Sequence, residues 1–430
     1  MSEFFQRNAE IIQSRWPALY ARIAREDSST IQPVLIEGQG STLSVDGIQL
    51  GSRHDRLAEA HFQAESFSPD AAVLHLYGIG LGDLPPVLLQ RSGLERLHVH
   101  ILNGALFALI LSLLDQRQWL TDPRVELTYA GDAAEISLPF FALPAELILA
   151  DDFNAKIRDR LIGETHLAYN NRNFDVVDPR LTALLEKSLP LLRADRDVAE
   201  LFGSQPGRRA FVIATGPTLQ GHLPALRRIR EQADRPLFIC VDTAYKPLLA
   251  AGIEPDVVVS VDHNIRSRHL PPEASAATAL VYMPMLDVET LTGWRGPRYA
   301  AYSDSALYEP VRTQIPRGHL FVGGSVIHPA VDLAVKMGVQ RITLFGADFA
   351  FPMNRTHTGW GDGDLGPQVA VARHWVLDGQ GQRVRTQLNF RGYLCELERF
   401  IARHPEVAFF NTSRAGAQIA GTCFDQEFCQ

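Results

Sequence analysis

The sequence is poor in cysteine, and its cysteines form no regular pattern. Only four occur among 430 residues, with no CxxC pair. Cysteine zinc sites use such pairs at short spacings, so the sequence indicates no zinc site of this kind. The composition is typical of a reducing compartment, and we expect a cytoplasmic protein. The four positions are Cys240, Cys395, Cys423 and Cys429.

Long apolar runs and excess positive charge are also lacking. The longest apolar run, residues 104–114, is well short of the roughly 20 residues that span a bilayer, so we interpret it as a buried helix. Residues 1–27 form a charged amphipathic pattern without the apolar core of a secretory signal. The net charge of -8 and the absence of a basic tail argue against a broad nucleic-acid-binding face. We therefore expect neither a membrane span nor a nucleic-acid partner.

The length of the chain predicts more than one domain. A chain of 430 residues, 46% hydrophobic and 21% charged, has the composition of a soluble globular protein with two or three cores. We predict an N-terminal helix, a hairpin and a first Rossmann-like unit in residues 1–150. A helical linker is predicted over 151–206 and a catalytic domain over 207–430. The fold class is α/β, with two tandem Rossmann-like units and a mainly parallel sheet in the second.

The first unit contains a glycine-rich turn between a strand and a helix. Residues 33–65 alternate as in an antiparallel hairpin, and a strand-helix-strand-helix-strand pattern begins at Ala71. Gly78, Gly80 and Gly82 approach a dinucleotide fingerprint without its spacing, and Asn103 stands where a ribose-binding acid is expected. We interpret the turn as structural. His98 and His100 share one strand face, with no third metal ligand nearby in sequence.

The most informative segment runs from Phe211 to Asp262. It reads as strand, Gly-Pro turn, helix, strand, helix and strand. Backbone N–H groups at the helix start would stabilise a phosphate. In a parallel sheet the carboxyl ends of the strands line the ligand crevice. The predicted site residues at these ends are Gly216, Pro217, Thr218, Asp242, Thr243, Asp262 and Asn264.

Gly324 and Ser325 open a second candidate anion site. The run 319–324 reads as a strand, and the helix pattern that follows begins after two glycines and a serine. The alternative interpretation is an ordinary serine cap. Asp348 follows the next predicted strand, 342–347, so its carboxylate is expected in the same crevice.

The polar loop after Asp348 carries a histidine and two acids. His357 is placed to act as a general base on an acceptor hydroxyl, with Tyr393 and His328 as alternatives. Asp362 and Asp364 could hold a divalent cation near a diphosphate. The alternative for these two residues is a solvated acidic turn.

Taken in order, these segments resemble the motility accessory factor (Maf) glycosyltransferases, which contain a domain of unknown function 115. The resemblance covers most of the chain and rests on the segments LYGIGLGDLPPVLL, VIATGPTL, ICVDTA, GGSVIHPAVDLAVKMGVQRITLFGADFAF and THTG. It implies transfer of a nonulosonic acid, such as pseudaminic or legionaminic acid, from its CMP-activated form to Ser or Thr of flagellin. The central domain of that family is similar to bacterial sialyltransferases.

The resemblance implies a role for each predicted residue. Gly216, Pro217 and Thr218 would hold the donor phosphate or ribose, with Asp242 and Asp262 in the same pocket. Gly324 and Ser325 would hold the cytidine or its phosphate beside Asp348, and His357 would deprotonate the acceptor.

Two other hypotheses remain open on the sequence. The central domain also resembles archaeal hydroxymethylpterin pyrophosphokinases, which use ATP and a metal. A flagellin-binding accessory protein without catalysis is the third. The sequence leaves the oligomeric state open.

Overall fold

The computed structural model describes residues 2–173 and 179–429, without the side chains of 166–181. It divides the chain into two compact units, Met1–Leu167 and Ala168–Gln430. The predicted helical segment 151–206 spans this division, and its residues 174–178 lie outside the described part. The three-part domain division stays a prediction.

The first unit contains a three-stranded and a four-stranded sheet. The smaller sheet is antiparallel, in the order β1-β2-β3, and the larger is wholly parallel, in the order β6-β5-β4-β7. The elements are α1 Glu3–Arg15, α2 Pro17–Ile23, β1 Val34–Glu37, β2 Ser41–Val45, β3 Ile48–Gln49, α3 Arg56–Ala64, β4 Val73–Tyr77, α4 Leu84–Leu89, β5 Arg96–Ile101, α5 Gly104–Leu113, α6 Arg117–Leu120, β6 Val125–Tyr129, β7 Phe140–Ala142, α7 Pro144–Leu149 and α8 Ala155–Asn173.

The strand order of the first unit reverses beside β4. The chain passes from β4 to β5 to β6 in one direction, and β7 then pairs with the other edge of β4. This arrangement confirms the predicted strand-helix alternation. The helix α5 is apolar and largely buried, as predicted, and Asn103 caps it by accepting the N–H of Leu106 at 2.9 Å. None of the described helices is both long and apolar enough to cross a membrane.

The second unit is built on one sheet of nine parallel strands, in the order β18-β17-β14-β9-β10-β11-β12-β13-β8. A two-stranded hairpin, β15-β16, lies outside it. The elements are α9 Pro179–Ala194, β8 Arg196–Asp197, β9 Arg209–Ile213, α10 Leu219–Arg230, β10 Leu237–Val241, α11 Asp242–Ala250, β11 Val257–Ser260, β12 Ala279–Tyr282, α12 Val288–Gly293, β13 Arg298–Ala300, α13 Glu309–Arg312, α14 Ile327–Lys336, β14 Arg341–Phe345, β15 His374–Leu377, β16 Arg383–Thr386, α15 Leu388–Ala402, β17 Ala408–Asn411 and β18 Cys423–Phe424.

The central strands of this sheet are continuous apolar runs. Every residue of β10 and β11 is buried, as expected for strands that are covered on both faces. Asp256 ties the two together, since it accepts the N–H of Phe238 at 2.9 Å and pairs with Arg235. From β9 the chain runs to β13 in one direction, and β14 then pairs with the other edge of β9. The sheet order therefore reverses between β9 and β14.

The predicted strand at 319–324 is wrong. This segment makes only a single bridge, between His319 and Tyr302. The N–H of Phe321 donates instead to the carboxylate of Asp332 at 2.7 Å, which removes it from any ladder.

Candidate functional site

A cleft lies at the carboxyl ends of β9, β10 and β14, where the sheet order reverses. It is open to solvent, and its empty space, including the part continuous with solvent, is about 540 Å³. Ligands bind at such reversals in open α/β sheets. The lining residues are Ala214, Thr215, Gly216, Val241, Thr243, Ser325, Val326, Ile327, Gly346, Ala347, Asp348, Phe349, Ala350, Thr356, His357, Phe390 and Tyr393.

The turn of Gly216, Pro217 and Thr218 does not offer free N–H groups to a phosphate. The N–H of Gly216 donates to the carbonyl of Gly346 at 2.8 Å, and that of Thr218 donates to Asp348 Oδ2 at 2.8 Å. Proline has no N–H to offer. A Cβ at Gly216 would lie 2.4 Å from both the Gly346 oxygen and Asp348 Oδ2. Glycine is therefore needed here for the approach of these two neighbours, rather than for the approach of a ligand.

Asp348 lines the cleft and holds this turn. Its carboxylate is 3% exposed and accepts the Thr218 hydroxyl at Oδ1, 2.6 Å away, as well as the Thr218 N–H. Burial raises the pKa of Asp348 to about 6, against the opposing effect of the hydrogen bonds from Thr218. Its hydrogen bonds make Asp348 an organiser of the turn.

Asp242 and Thr243 begin α11, but only Thr243 lines the cleft. Asp242 is buried, and its carboxylate accepts the Ser260 hydroxyl at 2.9 Å and the Thr243 N–H at 2.7 Å. Burial raises the pKa of Asp242 to about 7. The Thr243 hydroxyl lies 2.5 Å from that of Thr215, and the two hydroxyls form a polar pair in the cleft wall.

Asp262 and Asn264 do not reach the cleft lining. Asp262 accepts the backbone N–H of Asn264 at 2.8 Å and its side-chain amide at 3.1 Å. Both residues are exposed. They form a local turn beyond β11, and their contact with a ligand stays a prediction.

The start of α14 presents unpartnered donors to the cleft. In the described part of the chain, the N–H groups of Val326 and Ile327 have no acceptor, and no side chain caps the helix. The predicted alternative of an ordinary serine cap is therefore not observed. Gly324 has φ +92°, and a Cβ there would lie 2.6 Å from the Tyr393 ring. The partial positive charge of this helix end favours an anion in the cleft.

His357 stands in the cleft wall with an unpartnered ring nitrogen. Its Nδ1 is buried and has no hydrogen-bond partner among the described residues. Burial lowers the pKa of His357 to about 4, so the imidazole is neutral at pH 7.

Two neighbours fix the loop that carries His357. Thr358 donates its N–H to the Thr215 carbonyl at 2.8 Å and its hydroxyl to the Gly216 carbonyl at 2.9 Å. Trp360 donates its indole N–H to the Thr243 carbonyl at 2.9 Å. The loop is therefore tied to the ends of both β9 and β10.

The remaining candidates have structural partners. Both ring nitrogens of His328 are engaged, at 2.9 Å from the carbonyls of Ser325 and Tyr393. Asp364 accepts the N–H of Gly361 at 2.7 Å, and Asp362 accepts that of Val369 at 3.1 Å. Within the described residues, no group of three His, Cys, Asp or Glu is placed to hold a metal. A cation at Asp362 and Asp364 stays a prediction.

The lining residues that sequence reasoning missed include Thr215, Thr356 and Phe390, as well as Val326 and Ile327 at the start of α14. Thr215 directly precedes the Gly-Pro turn, so the end of β9 could have indicated it. Phe390 belongs to α15, and no local pattern in the sequence places it beside β14.

The fold and the cleft define an α/β protein of the Rossmann-like class. Residues 184–354 match the family model "6-hydroxymethylpterin diphosphokinase MptE-like", which covers less than half of the chain. The match confirms the resemblance of the central domain to that family, and it ends before His357.

Among solved structures, the chain is similar to a Maf glycosyltransferase from Magnetospirillum magneticum AMB-1, with 17% identity and a TM-score of 0.43. The similarity covers 99% of this chain and 74% of the other. No curated protein matches the sequence significantly.

Proposed function

We propose that the protein is a glycosyltransferase that moves a nonulosonic acid from a CMP-activated donor to Ser or Thr of flagellin. The observation that carries this proposal is the presence, in one cleft, of an uncapped helix start and a neutral histidine. Transfer of a sugar that is linked to a nucleoside monophosphate needs an anion site and a base, because a phosphate must leave and a hydroxyl must lose its proton. The identity of the sugar and of the acceptor in this proposal comes from the resemblance of the sequence segments to the Maf family.

The start of α14 would stabilise the leaving CMP. Negative charge grows on the phosphate oxygen as the bond from the anomeric carbon to that oxygen breaks. The N–H groups of Val326 and Ile327 are fixed by the helix and face this charge without reorganisation. Thr215, after β9, and Thr243, in α11, would offer their hydroxyls to the ribose or the base.

His357 would act as the general base. Its neutral imidazole takes the proton of the acceptor hydroxyl while that oxygen bonds to the anomeric carbon and CMP departs with the bonding electrons. Asp348 is a positioning residue in this proposal, since both of its oxygens hold Thr218. All four cysteines are free, which supports a cytoplasmic site of action.

A second candidate is supported by the family match. Residues 184–354 match a model named for a diphosphokinase, so transfer of diphosphate from ATP to a pterin alcohol is the alternative. It would place the ATP phosphates, with a divalent cation, at the start of α14. Asp362 and Asp364 are the predicted ligands for that cation.

Product analysis separates the two candidates. Purified protein is incubated with flagellin and CMP-pseudaminic or CMP-legionaminic acid. The intact mass of flagellin and the amount of free CMP are then measured. We expect one sugar mass added to flagellin for each CMP released. A parallel reaction contains ATP, Mg²⁺ and hydroxymethylpterin, with AMP as the readout. AMP release without any sugar transfer would replace the first proposal by the second.

A further inference from the structure

The glycine-rich turn of the first unit surrounds a carboxylate. The N–H groups of Ile79 and Gly80 both donate to Oε1 of Glu146, each at 2.6 Å. Gly78, Gly80 and Gly82 all have positive φ, between 57° and 88°. Consecutive N–H groups that converge in this way form an anion-binding nest.

Glu146 enters the nest from α7, which follows β7, whereas the turn follows β4. The turn and the acid therefore meet where the strand order of this sheet reverses, which is the ligand position of an α/β crevice. The side chain is 4% exposed, and no cationic group pairs with it within residues 2–173 and 179–429. Backbone donors alone face the carboxylate oxygen Oε1.

The turn is shaped around this side chain. A Cβ at Gly78 would lie 2.7 Å from Glu146 Cδ, and Gly78 has φ +81°. A side chain at that position would displace the carboxylate. The glycines therefore permit an anion to approach the backbone, although the anion belongs to the protein itself.

We infer that this nest is an oxyanion site whose occupant is the side chain of Glu146. In the folded protein Glu146 stands where a cofactor phosphate lies in a dinucleotide-binding crevice, and it closes the first unit to such a cofactor. Removing the carboxylate opens the nest to a small free oxyanion. This inference is independent of the proposed glycosyl transfer.

Chemical rescue tests the inference. Glu146→Ala deletes a CH₂ group and a carboxylate, the same heavy atoms as one acetate ion. We expect the variant of the full chain to unfold at a lower temperature than the parent. Acetate at high concentration should raise the melting temperature of this variant, beyond its effect on the parent, by about 2–4 °C. Inorganic phosphate is a second, larger probe, and it shows whether the nest also admits a tetrahedral oxyanion.

Two controls isolate the charge. Acetamide has the size of acetate without its charge, and an equal rise with acetamide would mean cavity filling and overturn the inference. Glu95→Ala, at an exposed position of the same unit, should respond to acetate as the parent does. If acetate does not raise the melting temperature of Glu146→Ala more than that of the parent, the inference is also overturned. If Glu146→Ala does not fold alone, its refolding yield in acetate and in acetamide is compared, and equal yields contradict the inference.

Discussion

Thr218 donates two hydrogen bonds to Asp348, one from its N–H at 2.8 Å and one from its hydroxyl at 2.6 Å. The two residues follow β9 and β14, the strands between which the sheet order reverses. Glu146 and Gly80 repeat this arrangement in the first unit, where they follow β7 and β4. In each of the two parallel sheets, a buried carboxylate that follows one strand accepts hydrogen bonds from the turn that follows the neighbouring strand.

We predict that Asp348→Asn destabilises the second unit. An amide nitrogen replaces one carboxylate oxygen, so the Thr218 hydroxyl has to accept where it donated, and both hydrogen bonds lose the strengthening effect of the negative charge. The expected loss in the free energy of unfolding is about 1–3 kcal/mol. Chemical denaturation measures it.

Asp364→Asn is the matched control for this change, because Asp364 is exposed in a loop. The loss from Asp348→Asn should be smaller in a Thr218→Val background, which already lacks the hydroxyl. An unchanged denaturation midpoint for Asp348→Asn would contradict the assigned role.

We predict a pH-dependent stability from three histidines of the first unit. His75 joins His98 and His100 from the neighbouring strand, with His75 Nδ1 3.1 Å from His100 Nε2 and the rings of His75 and His98 4.6 Å apart. Burial, and then repulsion from the other rings, lowers the pKa of His75 to about 4 and that of His100 to about 3. Burial also lowers the pKa of His98. The charge of Arg96 lowers it further, and that of Glu126 raises it.

As pH falls, the histidines of the unfolded chain, with pKa values near 6.5, become protonated before those of the folded protein. The free energy of unfolding should therefore be highest above about pH 6.5 and decrease as pH falls toward 4, by a few kcal/mol in total. Glu146 opposes this trend, since burial raises its pKa to about 7. Titration of the ring C–H signals by NMR separates the groups, and ordinary pKa values near 6.5 for His75 and His100 would refute the prediction.

We predict that His357→Gln lowers the rate of sugar transfer by about 10²–10⁴-fold. Glutamine keeps a polar side chain but does not act as a base. CMP affinity should be unchanged, because His357 meets the acceptor in this account. Transfer at the parent rate would place the base elsewhere, with Tyr393 in the same cleft as the next candidate.

We predict that Trp360→Phe loosens the loop that carries His357. Phenylalanine retains the aromatic packing against His269, whose ring lies 5.2 Å from that of Trp360, and deletes the hydrogen bond to the Thr243 carbonyl. Hydrogen exchange over residues 349–373 should accelerate, and kcat should fall more than CMP affinity. Exchange identical to the parent would show that the hydrogen bond does not hold the loop.

Local patterns predicted the frame of the site. The apolar runs of β9, β10 and β14 and the turns after them indicated parallel strands whose carboxyl ends share an edge. Gly216, Thr243, Ser325, Asp348 and His357 do line one cleft.

The hydrogen-bond state of each helix start was not predictable. The N–H of Thr218 is taken by Asp348, 130 positions away, whereas those of Val326 and Ile327 stay open. The two starts look alike in sequence, and only the tertiary partner distinguishes them. Glu146 is likewise 66 positions from Gly80, so the occupant of the first glycine turn could not be read locally.

CMP binding at the start of α14 tests the central claim most directly. Calorimetric titration compares the parent with Ser325→Glu, which places a negative charge in the cleft and, at a helix start, does not endanger the fold. Ser204→Glu, at an exposed serine, is the control. We predict that the parent and Ser204→Glu bind CMP alike and that Ser325→Glu binds it at least about tenfold more weakly. Equal CMP affinity in all three proteins, or binding of ATP without CMP, would contradict the account.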